Sequence, residues 1–148
     1  MEFTLFYKGE LKGRNSATPD DKQRIRREIH RQMAQLWKLD PLAGQSEFVS
    51  MDEPPWAANQ ISLIEKLGSF TFAPLISNKL HLAAKLQITL LRPEYPGNIF
   101  HNRGDIDNQL KTLLDALSMP RQLNQLPTGD GPRADEVRST VYFKTTVW

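Results

Sequence analysis

Apolar and polar residues alternate in several parts of the chain, and this pattern predicts strands. Residues 3–8 predict a first strand. Apolar residues occupy every second position over residues 80–90, so this segment predicts the clearest strand of the chain. Residues 68–76 and 137–147 also predict strands, and Pro74 indicates that the former is an edge strand or is ending there.

Two other segments carry apolar residues at helical spacing. The first helix is predicted over residues 19–39, with Thr18 as its N-cap, Pro19 in its first turn and acidic residues at the positive end of the helix dipole. The second is predicted to begin at residue 106 or 107 and to end at residue 118, with a leucine-rich stripe facing the core. Both helices are therefore amphipathic.

The remaining segments connect these elements. Residues 40–55 and 119–135 are rich in proline and glycine and predict loops, and a short helix or turn is predicted within residues 57–67. A loop as long as residues 119–135 is typical of a functional or mobile segment. The order strand, helix, strands, helix, strand predicts an α+β fold in which a mixed β-sheet carries two main helices, with residues 1–148 forming a single domain.

Composition excludes several classes of protein. The chain has no cysteine, which rules out disulfides, a cysteine nucleophile and a cysteine zinc site. Its three histidines lack metal-ligand spacing. No apolar run approaches the ~20 residues needed to span a bilayer, and the N-terminus lacks the basic region of a signal peptide. We therefore expect a cytoplasmic protein with neither a membrane partner nor a small-molecule cofactor.

Positive charge is concentrated in the N-terminal quarter. The whole chain has 19 basic and 17 acidic residues, but between Lys8 and Lys38 there are nine basic and four acidic ones. This region is a candidate for binding a polyanion, and the alternative is a well-solvated surface helix. If the region binds nucleic-acid phosphates, the predicted contacts are Lys8, Lys12, Arg14, Arg24, Arg27 and Arg31.

The candidate chemistry lies at the start of the second helix. Asp105 and Asp107 precede or begin this helix, so their carboxylates can converge beside the backbone N–H groups of its first turn. Two nearby carboxylates repel each other unless a cation joins them, and Mg²⁺ prefers oxygen ligands. Lys111 and Asp115 follow at four-residue steps on the same side of the helix. The alternative is structural: one acid caps the helix, and Lys111 makes ordinary ion pairs.

The same segment resembles the signature of the RusA-type Holliday junction resolvases, which are small bacterial and phage endonucleases. The family pattern is Asp-x-Asp-Asn-x-x-Lys-x-x-x-Asp-Ala-Leu, and seven specified positions match at the correct spacing. The matching residues are Asp105, Asp107, Asn108, Lys111, Asp115, Ala116 and Leu117. Chain length and the predicted strands also agree, although the resemblance is firm over the motif and loose elsewhere.

The resemblance implies a RusA-like, metal-dependent endonuclease that resolves four-way DNA junctions by paired nicks as a homodimer. In this chain Asp105 and Asp107 would hold Mg²⁺, with Mn²⁺ as a substitute. Lys111 would be the catalytic cation near the scissile phosphate, and Arg103 would contact the neighbouring phosphate. Asp115 matches the motif, but we expect a structural role for it. Such an enzyme would act in DNA recombination or repair, in a bacterial cell or a phage-infected host.

The chain departs from the family at the third acid. The family usually has a double acid followed by a β-branched residue shortly after the helix, and here the loop is longer. We favour Asp130 as the third catalytic and metal-binding residue, because the glycines on both sides allow a tight bend. Asp135 and Glu136, at the entry to the last strand, are the alternatives. Without a third acid the chain would be a catalytically inactive branched-DNA-binding protein, and a third hypothesis is a structural protein whose acids are helix caps.

Overall fold

In the part of the chain that the structure describes, the fold combines two helices with one small sheet. The computed structural model describes residues 1–49, 62–91, 106–136 and 139–143. In chain order the elements are helix α1 (Pro19–Leu36), strands β1 (Glu65–Leu67) and β2 (Phe70–Ile76), helix α2 (Ile106–Leu117) and strand β3 (Ser139–Phe143). The predicted α+β class is confirmed. Within the described ranges, no helix has the length and apolar character needed to cross a membrane.

Among the described residues, the sheet has three strands in the order β1-β2-β3. β1 runs antiparallel to β2, and β3 runs parallel to β2, so the sheet is mixed. Gly68, with φ 61°, lies in the tight turn between β1 and β2, where a left-handed conformation favours glycine. The predicted helix or turn within residues 57–67 is wrong for residues 65–67, which form β1 because they pair with β2 in this hairpin, and residues 57–61 lie outside the described residues.

Pro74 lies in the middle strand of the sheet, where a proline is unusual. However, β1 pairs with residues 70–72 of β2 and ends before Pro74 is reached. At Pro74, β2 is therefore paired with β3 alone among the described strands. The missing backbone N–H of proline is tolerated at such an edge. Pro74 therefore lies at a local edge of the sheet, as predicted, although β2 is the middle strand.

Helix α1 begins where the sequence predicts. The hydroxyl of Thr18 accepts a hydrogen bond from the backbone N–H of Asp21 at 3.2 Å, and the carboxylate of Asp21 accepts one from the N–H of Thr18 at 3.0 Å. This reciprocal arrangement is a capping box. The helix ends at Leu36 rather than at residue 39, because Lys38 and Leu39 donate to carbonyls three residues back and so tighten the chain out of the α-helical geometry.

The core lies between the helices and the sheet. Its main cluster of buried residues comprises Ile25, Ile29, Met33, Leu75, Ala116 and Leu117. The buried face of α2 also includes Gln109 and Thr112, whereas Leu110 and Leu114 of the predicted stripe are half-buried. Thr112 tolerates burial because its hydroxyl donates to the carbonyl of Asn108 at 3.2 Å. The helix was predicted correctly, and Leu117 of the stripe is buried, but the most buried face is rotated away from Leu110 and Leu114.

Residues 3–8 form no strand within the described chain. The alternation of inward and outward side chains is nevertheless present, because Leu5 and Tyr7 pack against the core while the intervening side chains are exposed. The backbone of Phe6 pairs with the side-chain amide of Gln32 on α1: its N–H donates to Oε1 at 2.8 Å, and its carbonyl accepts from Nε2 at 2.6 Å. The predicted strand is wrong because a helix side chain takes the place of a neighbouring strand.

The strand predicted over residues 80–90 is also wrong. A short 3₁₀ helix (Asn78–Leu80) ends at His81, which adopts a left-handed conformation with φ 51°. Residues 82–91 follow without regular structure, and Leu82, for example, is 49% exposed. Alternation indicates a face that can be covered, but a strand also requires a partner. In the described part of the chain, no strand pairs with this segment.

The last two elements agree with prediction. α2 spans residues 106–117, one residue shorter than the predicted helix. β3 lies inside the predicted strand at residues 139–143, and residues 137–138 and 144–148 lie outside the described residues. The intervening segment is a loop interrupted by short 3₁₀ helices, Leu123–Gln125 and Ala134–Glu136.

Candidate functional site

The candidate site lies at the start of α2. Asp107 is 60% exposed and Lys111 is 45% exposed, and the Lys111 ammonium donates to the Asp107 carboxylate. The two residues are one helical turn apart, so both face solvent on the same side of α2. The predicted metal ligand Asp105 and the predicted phosphate contact Arg103 lie outside the described residues.

Asp115, one turn further along α2, faces helix α1. Its carboxylate accepts a hydrogen bond from Lys22 Nζ at 2.7 Å, and its backbone carbonyl accepts one from Arg26 Nη2 at 3.1 Å. Burial lowers the pKa of Arg26 to about 10, so the guanidinium stays charged at neutral pH. These contacts join the two helices and agree with the structural role expected for Asp115.

A basic loop lies beside the first turn of α2. The backbone N–H of Arg14 donates to the carbonyl of Asn108 at 3.1 Å, and Asn108 is the residue that follows Asp107 in the motif. The Arg14 side chain is exposed. The loop therefore holds the backbone of an exposed arginine against the first turn of α2.

Lys12, in the same loop, is engaged with the start of α1. Its ammonium lies 3.0 Å from one carboxylate oxygen of Asp21 and donates to the other at 3.1 Å. Burial raises the pKa of Asp21, but hydrogen bonds from Thr18 and Lys12 outweigh this effect and hold the pKa at about 2. Arg24 lies 3.6 Å from the same carboxylate. Asp21 thus fixes the position of Lys12 and partly offsets its charge.

The favoured third acid, Asp130, is bound to α1. Arg27 Nη1 lies 2.8 Å from Asp130 Oδ2, Arg27 Nε lies 2.9 Å from Glu136 Oε1, and Nη2 donates to the Gly131 carbonyl at 3.2 Å. Glu136 is 2% exposed, and its other oxygen accepts a hydrogen bond from the Arg133 N–H at 2.9 Å. The hydrogen bond from Arg27 holds the pKa of Asp130 below its usual value. One guanidinium therefore pairs with two carboxylates.

This arrangement changes the interpretation of three predicted residues. The Arg27 side chain is 14% exposed and is engaged by two acids, so it has little surface to offer a phosphate. Asp130 is 39% exposed and would have to exchange Arg27 for a metal ion. Both oxygens of Glu136 are already satisfied. The side chain of Asp135, the other alternative, lies outside the described part of the structure.

The predicted ligands fit a magnesium site in part. Asp107 offers exposed carboxylate oxygens, the ligand type that Mg²⁺ prefers. Over the described ranges, no group of three or more histidine, aspartate or glutamate side chains is arranged to hold a metal ion. The three-acid site implied by the resemblance would therefore need Asp105 beside Asp107, together with an acid from elsewhere in the fold.

The other predicted phosphate contacts are accessible. Lys8 is exposed, and the side chains of Arg24 and Arg31 are 51% and 58% exposed. Arg31 makes a long ion pair of 3.7 Å with Glu28 on the same helix. Exposed ion pairs of this kind contribute little to stability, so they can exchange for phosphates at small cost.

Two residues important to the site were missed by sequence reasoning. Lys22 and Arg26 were counted only as part of the basic region, yet both bond to Asp115 of the motif helix. Their four-residue spacing places them on one side of α1, and this spacing is the feature of the sequence that could have identified them as a pair. Which element that side would contact depends on the tertiary structure.

Comparison with known proteins adds no further guide to the site. No family model, no curated protein and no solved structure matches this chain. The functional conclusion therefore depends on the motif, the charges around it and the geometry of α1 and α2.

Proposed function

We propose that this protein is a Mg²⁺-dependent endonuclease with a RusA-like fold, which cuts four-way branched DNA as a homodimer. One observation carries the proposal: the motif residues Asp107 and Lys111 lie together on the exposed side of α2, and the backbone of Arg14 in the basic loop is hydrogen-bonded to Asn108, the residue that follows Asp107. A simple helix cap would account for one acid. It would not account for the second acid of the motif or for a basic loop beside it.

Each residue has a defined role in this proposal. Asp105 and Asp107 hold the ion, which when bound supplies charge neutralisation at the phosphate and an activated water. Lys111 provides a fixed positive charge near the scissile phosphate, where excess negative charge develops during hydrolysis. Arg14 and the exposed basic residues of α1 hold the flanking phosphates. Two copies related by twofold symmetry match the symmetry of a four-way junction.

A nicking assay on a synthetic four-way junction tests the proposal. With Mg²⁺ we expect paired nicks from the wild type and none from Asp107→Asn, which loses the metal-binding charge. Asp20→Asn is the matched control, because Asp20 is also an exposed acid at the second position of a helix. Cleavage that is absent in the wild type, or that persists unchanged in Asp107→Asn, would refute the proposal.

A second candidate is a branched-DNA-binding protein of the same fold that has lost catalysis. The contacts of Arg27 favour it, because they engage both Asp130 and Glu136 and leave neither as a ready third ligand. This candidate predicts junction binding without nicking at any Mg²⁺ concentration. With ~6 phosphate contacts, the affinity would fall roughly 10³-fold between 50 and 200 mM salt.

A further inference from the structure

Four charged residues of alternating sign form a row across the contact between α2 and α1. Three of them, Asp107, Lys111 and Asp115, follow one another at four-residue steps along α2, and Lys22 of α1 completes the row. Lys111 therefore has a carboxylate one turn before it and another one turn after it. In the structure each lysine pairs with a different carboxylate: Lys111 bonds to Asp107, and Lys22 bonds to Asp115.

The intrinsic preference of Lys111 between these two carboxylates is weak. Acid–lysine pairs four residues apart contribute about 0.2–0.5 kcal/mol, and the pair with the acid on the N-terminal side is the better one. That difference favours Asp107 but does not by itself fix the lysine there. The pair of Lys22 with Asp115 is more shielded, because the Lys22 side chain is 21% exposed whereas Lys111 is 45% exposed.

We propose that Lys22 is a positioning residue for Lys111: by occupying Asp115 it removes the carboxylate that would draw Lys111 away from the start of α2. The inference rests on the proposed function, in which Lys111 must face the scissile phosphate. In that enzyme Asp107 is a metal ligand and can no longer hold Lys111. Lys111 then stays at the start of α2 only if Asp115, one turn behind it, is already neutralised.

The attachment between the helices does not depend on the Lys22 ammonium alone. Arg26 Nη2 donates to the backbone carbonyl of Asp115, and the cluster of Ile25, Ile29 and Ala116 packs at the same contact. These interactions remain when the side chain of Lys22 or of Asp115 is changed. The effect of Lys22 on charge can therefore be separated from an effect on helix packing.

Four variants separate positioning from attachment. Lys22→Met leaves Asp115 unpaired, so Lys111 is drawn towards Asp115 and stabilises the transition state less well. We therefore expect kcat for junction nicking to fall about tenfold, with little change in KM. Asp115→Asn removes the competing charge and should nick at nearly the wild-type rate, and the double variant should behave like Asp115→Asn. Lys22→Arg should restore the rate, because arginine can still pair with Asp115.

Other outcomes would overturn the inference. If Lys22 only attaches the helices, Lys22→Met and Asp115→Asn break the same ion pair and should lose activity equally. If Lys22 contacts DNA, Lys22→Met should raise KM and leave kcat unchanged. Lys79→Met is the control, because it removes a lysine that pairs with Glu65 at 3.8 Å, remote from α2 in the chain.

Crystal structures of Asp107→Asn and of the double variant Asp107→Asn/Lys22→Met test the charge competition without any assay of activity, because the asparagine at position 107 can no longer hold Lys111. We expect Lys111 Nζ to lie within ion-pair distance of Asp115 in the double variant alone, whereas Lys111 remaining away from Asp115 in the double variant would overturn the inference. Failure of the proposed function is a separate result: it would appear as absence of nicking by the wild type, whatever the position of Lys111 in the variant.

Discussion

Burial determines which charged residues of this protein are available for chemistry. Asp107 and Lys111 pair in a largely exposed position, so either can exchange its partner for an ion or a phosphate at small cost. Arg27 and Glu136 pair in a buried position, where separating the charges is expensive. Oppositely charged residues therefore form an exchangeable pair on α2 and a buried structural pair between α1 and the loop before β3.

The pKa of Asp21 gives a prediction about pH. Because this pKa is about 2 in the folded protein and 3.8 in the reference state, the ionised carboxylate stabilises the fold above pH 3.8, and that contribution is lost as the pH falls towards 2. This difference in pKa corresponds to a contribution of about 2 kcal/mol to the free energy of unfolding. Urea unfolding should show Asp21→Asn destabilised by that order at pH 7, with the deficit shrinking towards pH 2. A deficit independent of pH, or an equal one in the exposed Asp20→Asn, would contradict this explanation.

At the scale of elements, helices could be predicted and isolated strands could not. The start of α1 follows from Thr18, Pro19 and Asp21, which lie next to one another in the sequence. A strand depends on a partner that is distant in the sequence, and alternation alone does not reveal one. Within residues 3–8, the backbone of Phe6 is hydrogen-bonded to the side chain of Gln32 instead of to a strand. Residues 82–91 pair with no described strand.

In the candidate site, too, contacts within one helix could be predicted and contacts between distant parts of the chain could not. Four-residue spacing correctly placed Asp107 and Lys111 on one side of α2, because that geometry belongs to a single helix. The bond between Lys22 and Asp115 joins residues 93 apart in the sequence, and the bond between Arg27 and Glu136 joins residues 109 apart. No local pattern specifies such pairs, so the surroundings of the motif became visible only in the structure.

The connection of α1 to the loop after α2 gives a prediction about stability. Glu136→Gln leaves Arg27 without its buried partner and should lower the free energy of unfolding by about 3 kcal/mol. Asp130→Asn removes the partly exposed partner and should cost at most about 1 kcal/mol. Urea denaturation of both variants measures the difference. Equal losses would show that burial does not distinguish the two pairs.

At the scale of the whole molecule, the basic N-terminal region and the acidic motif are brought to adjacent elements. The loop of residues 11–17 contacts the start of α2, and α1 packs along the rest of that helix. Basic residues proposed to contact phosphates thus lie on elements adjacent to Asp107, one of the two acids proposed to hold the ion. This proximity connects the two halves of the proposed function, DNA binding and hydrolysis.

Titration calorimetry with Mn²⁺ tests the central claim, that the start of α2 holds a divalent cation, most directly. If that claim holds, we expect saturable uptake by the wild type, retention of that uptake in Asp20→Asn and its loss in Asp107→Asn. Absence of saturable uptake in the wild type, or uptake unchanged in Asp107→Asn, would contradict it.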